Sequence, residues 1–203
     1  VIHCTDLYLP LAEAIVRKTL GLTDANGVFL WYFADQPKCL PGNTGELEYI
    51  KLMGQRQQRY ADYIRSKKEG SKVLFLDADV IFKKPFVEEL SLHLDNYDLV
   101  FQGAGLDSGD AIYYCMGIMG VRCSEKTVNF MDNVFLPDLH RTMSSPEVGF
   151  PEANMNRLLL GSSQPVGGGG RPVEKFGLKI LDLPKHFGHS VEDAVMFLSL
   201  IHI

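Results

Sequence analysis

The chain has no apolar run approaching the roughly 20 residues that cross a bilayer, so no membrane segment is legible in its 203 residues. It has no stripe of lysine and arginine either. Lys67-Lys68 and Lys83-Lys84 are short pairs at the ends of elements, and a formal charge of −5 argues against a nucleic-acid partner. Its four cysteines, Cys4, Cys39, Cys115 and Cys123, show no CxxC pair and no metal-type spacing, which removes the usual signature of a cysteine-built metal or redox centre. Cys4 and Cys115 lie in apolar runs and read as packed thiols. There is no internal repeat.

What is present suffices for one sizeable core without disulfide or metal staples, with 46% apolar and 22% charged residues. Val1 already lies inside an apolar, strand-like segment, so the sequence reads as a fragment of a longer chain, any signal or anchor upstream being out of view. The last residues, Leu198-Ser199-Leu200-Ile201-His202-Ile203, read as a translated adaptor tail. The expected organisation is one domain over 1–197 and a non-native tail over 198–203. If the tail is native, His202 becomes a candidate late ligand.

The most informative stretch is Lys72-Val73-Leu74-Phe75-Leu76-Asp77-Ala78-Asp79-Val80-Ile81-Phe82. So continuous an apolar, β-prone run predicts a strand buried on both faces. Two unpaired carboxylates buried there would cost several kcal/mol, so something must compensate them. In an extended chain Asp77 and Asp79 point the same way, since side chains alternate with period two. A strand that surfaces at Asp77 and holds a divalent cation meets the requirement, and oxygen-only ligands suit Mg²⁺ or Mn²⁺ completed by water and substrate phosphates.

Along the chain, strands are expected at 1–5, 27–33, 72–82, 98–102, 112–121 and 178–183. Helices are expected at 9–20, 47–69 (stopped by Gly70), 85–94, 125–135 and 152–160. Residues 35–45 and 103–110 are Gly/Pro/Asp loops, and 162–172, with four consecutive glycines, reads as a mobile loop. The alternation predicts an α/β domain with a mainly parallel sheet flanked by helices. In such sheets ligands lie outside the carboxyl ends of the strands, where the acidic pair emerges.

The Asp-x-Asp strand, the following Ile81-Phe82-Lys83-Lys84-Pro85-Phe86 step, the glycine-containing Tyr114-Cys115-Met116-Gly117-Ile118-Met119-Gly120-Val121-Arg122 and the helix Pro151-Glu152-Ala153-Asn154-Met155-Asn156-Arg157-Leu158-Leu159 together resemble the GT-A-fold nucleotide-diphospho-sugar transferases over residues 1 to 183. Two departures stand out: Cys115 or Met116 where relatives commonly carry Asn, and Pro-Glu where relatives open the helix with Asp-Gln. The resemblance implies a Rossmann-like, single-domain fold and a metal-dependent glycosyltransferase. Its donor would be a nucleoside diphosphate sugar, UDP before GDP, its acceptor a glycan or protein, and its metal Mn²⁺ or Mg²⁺. A eukaryotic member would work in the Golgi lumen.

By the same resemblance Asp79 ligates the metal, Asp77 contacts metal or ribose, and His202 (or His186 or His189) supplies the late ligand. Thr5 and Asp6, ending the first strand, would hold the nucleobase; capping the next helix is the rival role. A basic residue of the long helix, Arg59 in preference to Arg56, would face the nucleotide, with a solvated helix face as its rival. Asp107 in the loop over the donor sugar and Glu152 at a helix start are the candidate catalytic groups, and Gly117 would let backbone approach the ligand. Two other classes remain open. One is a haloacid-dehalogenase-like phosphatase, which also uses an apolar strand ending in Asp-x-Asp but needs a later paired-acid motif, for which Asp182 and Glu192-Asp193 lack the strand-end setting. The other is a remnant that binds sugar nucleotide without turning it over.

Overall fold

The computed structural model describes residues 2–5, 9–22, 30–33, 47–77, 80–103, 111–143, 151–163, 166–167, 172–184, 187 and 196–198. The chain begins with strand β1 (Ile2–Thr5), helix α1 (Leu9–Leu22), β2 (Leu30–Phe33) and the long α2 (Leu47–Arg65). The acidic strand then appears as β3 (Lys72–Asp77) and, beyond 78–79, β4 (Val80–Phe82), followed by α3 (Val87–Asn96) and β5 (Leu99–Gly103). β6 (Ala111–Ile112) and the long β7 (Tyr114–Arg122) come next. Three helices follow, α4 (Glu125–Phe130), α5 (Leu136–Thr142) and α6 (Pro151–Leu160). The described chain ends with β8 (Val166–Gly167), β9 (Val173–Lys175), β10 (Leu178–Asp182) and β11 (Met196–Leu198).

Seven strands form the central sheet in the order β2-β1-β3-β7-β5-β10-β9, while β4 pairs with β11 and β6 with β8 in small ribbons. β1 runs parallel to β2 and β3, and β5 parallel to β10. β7 lies antiparallel between β3 and β5, and β9 antiparallel to β10. The sheet is therefore mixed, not mainly parallel, and with the two antiparallel ribbons the antiparallel pairings outnumber the parallel ones. The cause is local. Only ten residues separate the end of β5 at Gly103 from the start of β7 at Tyr114, fewer than the dozen or so a parallel crossover needs, so the returning strand pairs antiparallel. The segment 162–172, expected as loop throughout, contributes β8 to a ribbon, and β9 and β11 were not expected.

Both faces of the sheet are covered, which is why the acidic strand reads as continuous apolar sequence. Val73 and Phe75 pack on one side with Tyr60, Phe101, Tyr114, Met119, Phe130, Phe135 and Met155, beneath α2 and α4 to α6. Leu76 and Leu74 pack on the other with Ala12, Leu90, Leu94, Val100 and Ile118, beneath α1 and α3. The faces alternate residue by residue along β3, so Asp77 belongs to the side of Val73 and Phe75. At the centre Gly120 admits no side chain, since a Cβ there would lie 2.5 Å from Cγ2 of Val100.

α2 does not run to Gly70 as expected: it closes at Arg65, where the Ser66 N–H reaches the carbonyls of Asp62 and Tyr63, and Gly70 (φ +79°) donates its N–H to the carbonyl of Cys123 (2.7 Å) in the turn that leads to β3. Ser124 and Thr127 form a reciprocal capping box at the start of α4. The helix expected to end at Phe135 instead continues through a π-helical turn, Met131–Phe135, into α5. Pro137, in the first turn of α5, accounts for the widening: it has no N–H to give, and its ring excludes the carbonyl four residues back.

Candidate active site

β1, β2, β3, β5 and β10 all end on one edge of the sheet, and β7 begins there. Asp77 closes β3 at this edge, opposite His3 of β1. Its Oδ1 accepts a hydrogen bond from Nη1 of Arg56 on α2 at 2.5 Å. Arg56 is buried, with its guanidinium 5.7 Å from the centre of the Tyr60 ring, one turn further along the helix. Tyr60 stacks on Phe75 at 4.1 Å and so fixes the helix to the acidic strand. Burial drives the Tyr60 phenol far above its ordinary range, Arg56 opposing and Asp77 adding to the rise. The three side chains are one electrostatic group, in which a buried cation is tolerable because its carboxylate partner is in contact. The basic residue beside the acidic strand is Arg56; Arg59 lies on the exposed side of α2.

The start of β7 is held by side chains of α6 rather than by backbone alone. Asn156, fully buried, accepts the N–H of Tyr114 (2.7 Å) and donates to the Tyr114 carbonyl (2.9 Å), so its amide imitates a neighbouring strand. It donates as well to the carbonyl of Glu152 (2.9 Å). One turn earlier, Oε2 of Glu152 accepts the N–H of Met116 (3.0 Å). Tyr113 and Cys115 are electrostatically coupled to Glu152. Burial pushes the Glu152 carboxyl above the ordinary carboxylate range, the Met116 N–H opposes the rise and the charge of Asp77 adds to it. Burial also raises the Cys115 thiol and, first among its causes, the Tyr113 phenol, Glu152 reinforcing both.

Asp77 and Glu152 thus face one edge from a strand and a helix, close enough for each to feel the other's charge, with Gly117 beside Glu152 through Cys115. Thr5 ends β1 at the same edge, paired with Phe33 of β2. Asp6, Asp79, Asp107, His186, His189 and His202 lie outside the described residues. Sequence reasoning missed Tyr113 and Cys115 as partners of Glu152, and no spacing signal announces them. Asn156 lay within the Pro151–Leu159 segment that carries the resemblance, but nothing in the sequence marked its role as a surrogate strand.

Similar architectures occur among solved glycosyltransferases. The galactosyltransferase LgtC, solved with donor and acceptor sugar analogues, matches 98% of this chain and 86% of its own, with a TM-score of 0.56 and 10% identity. A glycosyltransferase involved in glycosylating the major capsid of PBCV-1 matches 98% of this chain and 93% of its own (TM-score 0.54, 12% identity). The glycosyltransferase GlyE of Streptococcus pneumoniae TIGR4 matches 92% of this chain (TM-score 0.54, 13% identity), which spans 45% of the GlyE length. The fold is GT-A. No protein-family model and no curated protein matches the sequence. Among the described residues no helix is long and apolar enough to cross a membrane.

The resemblance carried by the Asp-x-Asp strand implies a divalent cation. Among the described residues no three His, Cys, Asp or Glu side chains gather to hold a metal. The chemistry of the donor set nevertheless fits a hard cation. Asp77 presents a half-buried carboxylate at a strand end, and Asp79 follows it two residues on in the sequence.

Proposed function

We propose that this domain is a metal-dependent glycosyltransferase that moves a sugar from a nucleoside diphosphate sugar, UDP-linked first and GDP-linked second, to a glycan or protein acceptor. The observation that carries the proposal is the pairing of Asp77 with Glu152 across the carboxyl edge of a GT-A sheet. One carboxylate stands at the end of a buried strand, and one carboxyl is recessed and held by the Met116 N–H. Asp77 and Asp79 would hold Mn²⁺ or Mg²⁺, which when bound stabilises as a Lewis acid the negative charge that develops on a departing diphosphate.

The chain's own residues prepare the rest. Arg56 orients the Asp77 carboxylate and balances its charge where the anionic donor arrives. Glu152 is held by the Met116 N–H, and burial raises its carboxyl, which suits a group that binds sugar hydroxyls or exchanges a proton near the reacting carbon. Thr5 and Asp6 would bound the nucleobase, Asp107 the donor sugar, and Gly117 a point of close backbone approach. Arg59 and His202 complete the proposed donor and metal contacts. The test is release of UDP or GDP from a panel of nucleotide sugars with Mn²⁺ present, in the wild type and in Glu152→Ala. Metal-dependent release that falls at least tenfold in the variant is expected. Phosphate release from p-nitrophenyl phosphate, with no nucleotide-sugar turnover, would favour the phosphatase chemistry instead.

A further inference from the structure

A second polar group sits on the same edge, outside the Asp77–Glu152 pair. Asp182 is the last residue of β10 and lies in register with Phe101 of β5. Phe101 stacks on Tyr114 of β7 at 4.8 Å, so Asp182, Phe101 and Tyr114 share the sheet face that carries Phe75 and Asp77. Tyr114 is 0% exposed, yet among the described residues its hydroxyl has no hydrogen-bond partner, and neither does the buried Oδ1 of Asp182. The two are electrostatically coupled, Asp182 adding to the rise that burial imposes on the Tyr114 phenol. Two unsatisfied oxygens of this kind are expensive in a folded core. They persist where a guest supplies the missing partners.

The chemistry restricts the guest. A carboxylate needs a donor and repels phosphate; a buried phenol that has lost its water needs an acceptor. A hydroxyl group provides both at once. The strand order supplies the position. Asp182 is three strands from Asp77, across β7 and β5, or about 14 Å at the usual strand spacing, which leaves room for about two sugar rings between them. Glu152 lies over β7, between the two.

We infer that Asp182 and Tyr114 form the acceptor-side subsite, binding a hydroxyl of the sugar that receives the transferred residue. This inference rests on the proposed transferase function. Asp182 is the contacting group, half-buried at the edge. Tyr114 positions it and contributes its hydroxyl from below. Burial holds the Asp182 carboxyl up at about 6, in keeping with a group that lacks a cationic partner.

The test uses saturation-transfer NMR on the whole chain with UDP and Mn²⁺ present and the methyl glycosides of galactose, glucose and mannose as probes. Wild type, Asp182→Asn and Tyr114→Phe are compared, and UDP affinity is measured on the same samples. At least one glycoside is expected to bind the wild type and to lose affinity about tenfold or more in Asp182→Asn, the scale of a hydrogen bond to a charged group. A smaller loss is expected in Tyr114→Phe, which keeps the stack on Phe101, with UDP affinity unchanged in both. Equal glycoside binding in all three proteins with UDP binding intact overturns the subsite and leaves the transferase reading standing. The same holds if no glycoside binds the wild type, water then being the guest. Loss of UDP binding in the wild type itself overturns both.

Discussion

Asn156→Asp tests how the site is anchored. The substitution keeps shape and the oxygen that accepts the Tyr114 N–H, but replaces the amide nitrogen that donates to the carbonyls of Tyr114 and Glu152. The position is 0% exposed, so the introduced carboxylate would face two carbonyl oxygens without water. Losing the donors leaves at least the Tyr114 carbonyl unsatisfied, at about 1–3 kcal/mol, and a buried, unpaired charge adds at least as much until it takes up a proton. The expected loss is about 3–5 kcal/mol at pH 8, or about 10 °C in Tm for a chain of this size. The sign of its pH dependence follows from burial. The introduced acid titrates higher in the folded than in the unfolded state, so the penalty is complete at high pH and lifts as pH falls toward the unfolded value. Thermal melts of wild type and variant at pH 5 and pH 8 would read this difference. A loss below about 1 kcal/mol, the same at both pH values, would refute the claim that α6 docks on β7 through this amide.

Two further outcomes follow from the packing and titration of the fold. Gly120→Ala should cost about 1–3 kcal/mol in denaturant melts, because its methyl meets the stiff side chain of Val100 at 2.5 Å; an unchanged midpoint would show that β7 and β5 are not this closely packed. Asp182 titrates near 6 when folded and near 3.8 when unfolded, so folding binds an extra proton between those values and stability falls as pH rises through that window. Asp182→Asn removes the penalty and should be more stable than wild type at pH 8 by about 1–2 kcal/mol, allowing for the carboxyl's contact with solvent, with the advantage gone at pH 3.5. Equal stability at both pH values would contradict the burial of that carboxyl.

Much of the fold was legible because each signal was local. The apolar run through Phe75 marked a strand covered on both faces, and periodicity marked the helices, although α2 ends at Arg65, short of the Gly70 that reads as its stop. The direction of β7 was not legible. Apolar strands read alike whichever way they run, and only the shortness of the connection between β5 and β7 hinted at an antiparallel return. The continuation of α4 past Phe135 was hidden because Pro137 reads as a breaker, whereas a π-helical turn absorbs it. At the site, Asp77 and Glu152 stood out as carboxyls at element ends. The sequence reading preferred Arg59, whereas Arg56 is the residue that meets Asp77, because the buried face of α2 is set by stacking of Tyr60 on Phe75. Asp182 had no setting in the sequence to recommend it, since its significance lies in the unpartnered hydroxyl of Tyr114, brought alongside by strand pairing.

The central claim is that the acidic strand end binds a nucleoside diphosphate through a divalent cation. Calorimetric titration of UDP and GDP into the purified chain, first with Mn²⁺ and then with EDTA, tests it directly, with Asp79→Ala as the comparison. Saturable binding that disappears with EDTA and in the variant, while the variant's melting profile stays that of the wild type, is the predicted result. Binding of equal affinity with and without metal, or undiminished in Asp79→Ala, would contradict it.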